Sequence, residues 1–166
     1  MGFDISGINP HINKPDTEYK YYREDKDIFK EEDKEIRDKY FKEMEEYYEA
    51  NPGVYFRNNV WWWRPLWSFV CNRCQDILTK EDIRHGSFND GWEIEGKKAY
   101  RIGMRLKKLV EDGEVALYAA HHEVERDNLK DSDDEDEQFV SNYPFNTENV
   151  DKFATFCIQS GGFMIC

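Results

Sequence analysis

The sequence predicts an α+β fold, a small and mostly antiparallel sheet around residues 54–63 with helices packed on one face. Three observations carry that expectation. The 166 residues include five Trp, ten Tyr and eleven Phe, which is enough large apolar surface for one core and too short a chain for two. The run Val54 to Trp63, Val-Tyr-Phe-Arg-Asn-Asn-Val-Trp-Trp-Trp, is aromatic and partly β-branched, as strands are. On both sides of it, apolar residues recur at helical spacing.

Taken in order, Phe3 and Ile5 alternate with Asp4 and Ser6, which predicts a short strand followed by a Gly- and Pro-containing turn. From about Asp25 to Ala50 the composition shifts to Lys, Glu and Asp, with Ile36, Tyr40, Met44, Tyr47 and Tyr48 on one stripe. That pattern predicts a charged helix ended by Asn51-Pro52-Gly53. Segment 16–50 reads as a charged helical insertion within a single domain spanning 1–166. In the strand 54–63, period-2 alternation sends Phe56, Val60 and Trp62 to the core. It sends Arg57, Asn59, Trp61 and Trp63 to the other face. Pro65 then suits the start of a helix whose stripe is Leu66, Phe69, Val70, Cys74, Ile77 and Leu78. Thr79 with Asp82 can cap a short turn ending near Gly86, and Asn89-Asp90-Gly91 is a strong turn signal. Helices are expected after Gly96, up to Gly113, and again from Glu114 to about Lys130. The run 131–138 is without an apolar residue and reads as an acidic mobile loop. Asn146 or Thr147 caps a last helix, and Phe163 to Cys166 follows Gly161-Gly162 as a terminal edge strand.

The charge balance excludes some functions. Thirty-five acidic against 23 basic residues leave a formal charge of -12. Binding to nucleic acid through its phosphates needs a basic surface, so direct nucleic-acid binding is not expected, and neither is attachment to an anionic membrane. Hydrophobic residues make up 39% and charged residues 35%, a mixture that only the aromatic content keeps away from disorder. Met1 to Ser6 fit the loose N-myristoylation pattern, but the strand reading of Phe3 and Ile5 is preferred. No basic region followed by an apolar stretch marks a secretory signal. Four cysteines in a chain of this length do not make a disulfide framework, so a reducing cytoplasm is the expected location.

The residues Met1-Gly2-Phe3-Asp4 and Tyr55 to Trp67 (Tyr-Phe-Arg-Asn-Asn-Val-Trp-Trp-Trp-Arg-Pro-Leu-Trp) form a specific pattern. So do Gly86 to Gly91, Tyr143-Pro144-Phe145, Glu148-Asn149-Val150 and the ending Gly161 to Cys166. Together these resemble a family of small phage and bacterial proteins to which no activity is firmly tied. The resemblance covers about two-thirds of the chain and implies a source, with host cytoplasm as the location, but no mechanism. The chain departs from that family at the insertion 16–50. It departs again at 131–138, where some relatives carry paired Cys-x-x-Cys motifs, so any zinc role in them does not transfer.

Two constellations invite chemistry. Arg57, Asn58, Asn59, Trp61, Trp63 and Arg64 have the groups for a planar, anionic ligand: indoles to stack, guanidiniums to fork onto phosphate or carboxylate, amides to read polar edges. The alternative is that the tryptophans are core and the arginines stack on them, which is the preferred reading for Trp62. Cys71-x-x-Cys74 is the one metal-like spacing, but a structural zinc needs four ligands and no second pair exists. Buried thiols are the better reading, with no metal and no cofactor expected. His121 and His122 are adjacent on a helix and cannot serve one metal together. No nucleophile elbow, zinc-protease motif or phosphate-cradling loop is present, so no catalytic residue is assigned.

The reading reached is a non-enzymatic binding protein, phage-encoded, that holds a small planar nucleotide-like anion on the Trp/Arg surface and interferes with host defence or signalling. Two alternatives stand beside it. One is an acidic interaction protein that mimics nucleic acid and blocks a host enzyme; the other is an unrecognised hydrolase.

Overall fold

The computed structural model describes residues 2–23, 26–130 and 132–166. Its elements in chain order are β1 (Gly2–Gly7), α1 (Lys34–Ala50), β2 (Tyr55–Asn59), α2 (Val60–Arg73), α3 (Lys80–His85) and β3 (Trp92–Glu95). Then come α4 (Gly96–Glu111), α5 (Glu114–Lys130), α6 (Glu135–Val140), α7 (Thr147–Gln159) and β4 (Gly162–Ile165). Helices dominate, and the four strands form one antiparallel sheet in the order β2-β1-β4-β3. The fold is α+β.

The register sorts the side chains. Ile5 lies opposite both Phe56 and Ile165, and Ile94 lies opposite Phe163, so these residues share one face with Phe3. That face is the apolar one. Helices α4 and α7 pack on it, through Ala99, Ile102 and Leu106 from α4 and Val150, Phe153, Ala154 and Phe156 from α7, all buried. Phe153 and Phe156 meet Phe56 at 5.1 and 5.8 Å between ring centroids, and meet Phe163 at 5.8 and 5.7 Å. The opposite face presents Asp4, Ser6, Arg57, Glu93 and Met164.

Two strands lie elsewhere than the sequence suggests. The strand expected at the centre of the sheet is its edge, β2, and is only five residues long. The strand expected at an edge, β4, lies between β1 and β3. Its entry turn uses Gly161 and Gly162 at φ of +62° and +103°, a conformation that side chains with a Cβ rarely adopt.

The charged segment also differs in detail. Its helix starts at Lys34, capped by the Asp33 side chain, which accepts from the Glu35 and Ile36 amides. Ahead of it, Tyr19, Tyr22 and Ile28 lie against α1 as a strap. Tyr19, Tyr22, Ile28, Tyr40 and Tyr47 form a second, separate buried cluster. Glu43 pins the strap by accepting from the amides of Tyr21 and Tyr22 at 2.6 and 2.8 Å. Buried Asn51 accepts from the Asn13 and Lys14 amides and donates to the Lys14 and Tyr47 carbonyls, so its amide is fully satisfied. Residues 135–140, expected as part of a loop up to 138, form the short helix α6, because Asp134 caps it through the Asp136 and Glu137 amides. The position 131 part of that expectation lies outside the described residues.

Candidate functional site

The decisive local event is at Asn59. Its side chain accepts from the Trp62 amide at 3.1 Å and caps α2, so the chain leaves β2 and turns helical at Val60. The three tryptophans are therefore on a helix rather than a strand, and they point about 100° apart from one another. Pro65 sits in the second turn, not the first; having no N–H, it leaves the Trp61 carbonyl without its helical partner.

Helical geometry inverts the expected assignment of the tryptophans. Trp63 is fully buried. It stacks on Trp67 at 5.5 Å and on Phe3 at 5.4 Å, and donates from Nε1 to the Gly86 carbonyl at 2.8 Å. It belongs to the stripe Trp63, Leu66, Trp67, Val70 and Cys74, all buried at spacings of three and four. Trp63 is thus core and leaves the set of surface candidates. Trp62, expected as core, is half-buried, as are Trp61 and Val60. Trp61 lies against Phe139 and Tyr143, with centroids at 5.2 and 5.0 Å.

The remaining candidates separate. Arg57 sits on the sheet face away from the core, 3.4 Å from the Asp4 carboxylate, which also accepts the Tyr55 hydroxyl. It is not part of the tryptophan surface. Arg64 donates to the Tyr143 hydroxyl at 2.9 Å and so frames the Trp61 cluster. Asn58 lies opposite Phe3 in the register, on the apolar face at the sheet edge. Its Nδ2 is buried and has no hydrogen-bond partner among the described residues.

The structure brings Asn58, Asn59, Trp61 and Trp62 to two hollows that share Trp62 as a wall. One, of about 480 Å³, is bounded by Asn59, Trp61, Trp62, Asn142 and Pro144. The other, of about 200 Å³, is bounded by Asn58, Trp62, Asn146, Glu148, Asn149 and Lys152. Both open at the N-terminal end of α2, and the second also at that of α7, where Asn146 accepts from the Asn149 amide at 2.8 Å. Two helix N-termini place partial positive charge there, and Lys152 adds a cation held 2.7 Å from Glu148. Trp62, Asn142, Asn146, Asn149 and Lys152 also line these hollows and are not among the candidates that the sequence singles out. The signal was present in the Asn59-x-x-Trp62 and Asn146-x-x-Asn149 caps, which bring two helix starts together.

The cysteine pair has no metal-site geometry. Among the described residues, no three His, Cys, Asp or Glu side chains gather as a metal-binding group. Cys74 is buried and Cys71 half-buried. Burial, with a small contribution from Cys74, pushes the Cys71 thiol up to about 12, and burial pushes Cys74 up to about 11. Neither thiol is poised as a nucleophile. His121 is exposed while His122 is half-buried against Tyr118 and Phe145, so the pair diverges as helical neighbours must. No described helix is long and apolar enough to cross a membrane.

Comparison with family models, with curated proteins and with solved structures finds no match.

Proposed function

We propose that the chain is a non-enzymatic binding protein that holds a small planar ligand, nucleobase-like and carrying one anionic group, on the ledge formed by Trp61 and Trp62. The observation that carries this reading is the buried, unpartnered Asn58 amide at the wall of a hollow whose other wall is a half-exposed indole. Buried polar groups are almost always hydrogen-bonded, and a ligand oxygen seated beside Trp62 supplies the partner when the Asn58 side chain turns its Nδ2 into the hollow. Stacking a base on an aromatic ring is worth about 1–3 kcal/mol. Asn59, Asn142 and Asn149 surround the ledge with amides that can read a polar edge. The anionic group goes to Lys152 and the two helix N-termini rather than to the guanidinium of Arg57 or Arg64.

This suits an acidic chain. A single anionic group held by Lys152 and helix amides needs no basic surface, unlike a nucleic acid. Capturing such a ligand would let a phage-encoded chain in a host cytoplasm intercept a signalling nucleotide. The nucleic-acid-mimic alternative draws less support, since α1 carries four cations beside its six carboxylates.

The test has two parts. Mass spectrometry of small molecules released by denaturing the purified protein should reveal an aromatic anion, and a panel of mono- and dinucleotides should quench tryptophan fluorescence saturably. Trp62→Ala and Asn58→Leu should each weaken that binding at least tenfold while both variants remain folded. Binding that survives both substitutions, or a protein that releases and binds no such compound, would refute the proposal.

A further inference from the structure

Helix α4 is out of character with its chain. Six of its sixteen residues are Lys or Arg and only Glu111 is acidic, in a protein of charge -12. Its inner face is filled by Ala99, Ile102 and Leu106. Its outer face carries Lys97, Tyr100, Arg101, Met104 and Lys108 at spacings of three and four. Tyr100 and Met104 are 51% and 47% exposed. A hollow of about 760 Å³ runs along this stripe, with Glu111 and Asp112 also on its rim.

Neighbouring carboxylates neutralise part of the helix. Asp76 holds Arg105 through both oxygens and lies 3.6 Å from Arg101, Asp151 holds Lys107 at 2.5 Å, and Asp82 holds Lys98 at 2.6 Å. Lys97 and Lys108 make no ion pair among the described residues. A cationic stripe with an exposed aromatic ring and thioether between its charges fits an acidic segment that also carries apolar side chains.

The chain contains such a segment. Asp133 to Glu137 are five consecutive exposed carboxylates, followed after Gln138 by Phe139 and Val140 at 52% and 50% exposure. Within one chain, no ion pair among the described residues joins this segment to α4. Two unsatisfied surfaces of opposite sign on one molecule can satisfy each other reciprocally about a two-fold axis.

We propose that two copies of the chain associate through reciprocal α4–α6 contacts, the basic stripe Lys97–Lys108 of each receiving the acidic and apolar run 133–140 of the other. This is independent of the ledge ligand. The test is solution mass, by sedimentation equilibrium or light scattering, as concentration rises to the millimolar range. The wild type should move from one chain mass towards two. Lys97→Glu with Lys108→Glu, and separately Asp133→Lys with Asp136→Lys, should each hold the protein at one chain mass with unchanged circular dichroism. These positions leave the Asp76 pairs and the Asp134 cap intact. An equimolar mixture of the two double variants should recover the two-chain mass, because both contacts in the mixed pair regain opposite signs. A wild type that stays at one chain mass overturns the proposal without any variant, and shows that any acidic occupant of α4 is a different protein. Variants that still reach two chain masses alone, or a mixture that does not, overturn it as well.

Discussion

Replacing Trp63 by Ala should be the most damaging change in the tryptophan run, although the sequence alone favours Trp62 for that part. The indole of Trp63 is inaccessible to solvent and lies between Trp67 and Phe3, edge-on to Phe153. Truncating such a ring costs about 3–5 kcal/mol through lost burial and the cavity left behind. It also strips the Gly86 carbonyl of the Nε1–H it accepts at 2.8 Å, adding about 1–2 kcal/mol for an orphaned buried acceptor. The sum, about 4–7 kcal/mol, is a large share of the stability of a domain this size. At about 2–4 °C per kcal/mol it lowers Tm by about 8–28 °C. Trp62→Ala removes a half-buried ring that makes no hydrogen bond of this kind, and should cost about 1–2 kcal/mol. Urea and thermal unfolding of Trp61→Ala, Trp62→Ala and Trp63→Ala, with Trp63→Phe as the milder core variant, will rank them. If Trp62→Ala unfolds as early as Trp63→Ala, the helical placement of the run is wrong and the ledge loses its basis.

Gly86→Ala should destabilise by about 1–3 kcal/mol, since the added Cβ falls about 2.0 Å from the Trp67 ring; an unchanged urea midpoint would contradict that packing. His122 is held below the ordinary histidine range, first by burial and then by Arg126, with Glu125 opposing. The unfolded chain therefore binds its proton first, and stability should fall as pH drops from about 6.5 towards the lower folded value. His122→Phe should flatten that part of the pH–stability curve, and an identical slope in the two proteins would reject the assignment. Asp82 is buried. Desolvation works to raise its carboxyl, but hydrogen bonds from Lys98, Thr79 and Trp92 outweigh it and hold the carboxyl below the usual range. The stability it contributes should persist above about pH 4 and fade below it, and Asp82→Asn should abolish that acid-side loss in a denaturant series. Of the four thiols, only Cys166 is exposed, so alkylation near pH 8 should label one thiol rapidly and the other three only on unfolding; fast labelling of Cys71 would show that α2 opens.

Elements with one strong signal were legible. The alternation of Phe3 and Ile5 placed β1, the Thr79–Asp82 capping box placed α3, and Gly96 and Gly113 bracket α4 almost to the residue. The junction at Asn59 was not, because two signals compete there. Val60 to Trp63 favours a strand by composition, whereas Asn59 as a cap and the stripe Trp63, Leu66, Trp67, Val70 favour a helix. Tertiary packing of Trp63 against Phe3 and Trp67 decides for the helix. A one-element error of this kind moves every side chain it covers, which is why Trp62 and Trp63 exchanged places and the indoles parted from Arg57, which stays on the outer face of β2. The order of strands was not readable either, since nothing local to residues 162–165 announces that β1 and β3 will pair on both sides of them.

The two inner strands of the sheet are drawn from opposite ends of the described chain. Asp4 and Cys166 exchange backbone hydrogen bonds at 2.8 Å in each direction, and Ile5 faces Ile165. Closing that pair requires a loop of nearly all the described chain, whose entropy must be lost before the contact returns anything. Such long-range pairing slows folding. On a ribosome, the apolar face of β1 must wait, paired only with β2 and unsealed on its other side, until residues 162–165 have emerged. Of the helices that cover that face, α4 emerges well before β4 and shields the nascent core during the delay, whereas α7 emerges only just ahead of β4 and completes the cover against α4. Substitutions that weaken their mutual packing should lower the yield of soluble protein more than they lower the stability of the molecules that do fold.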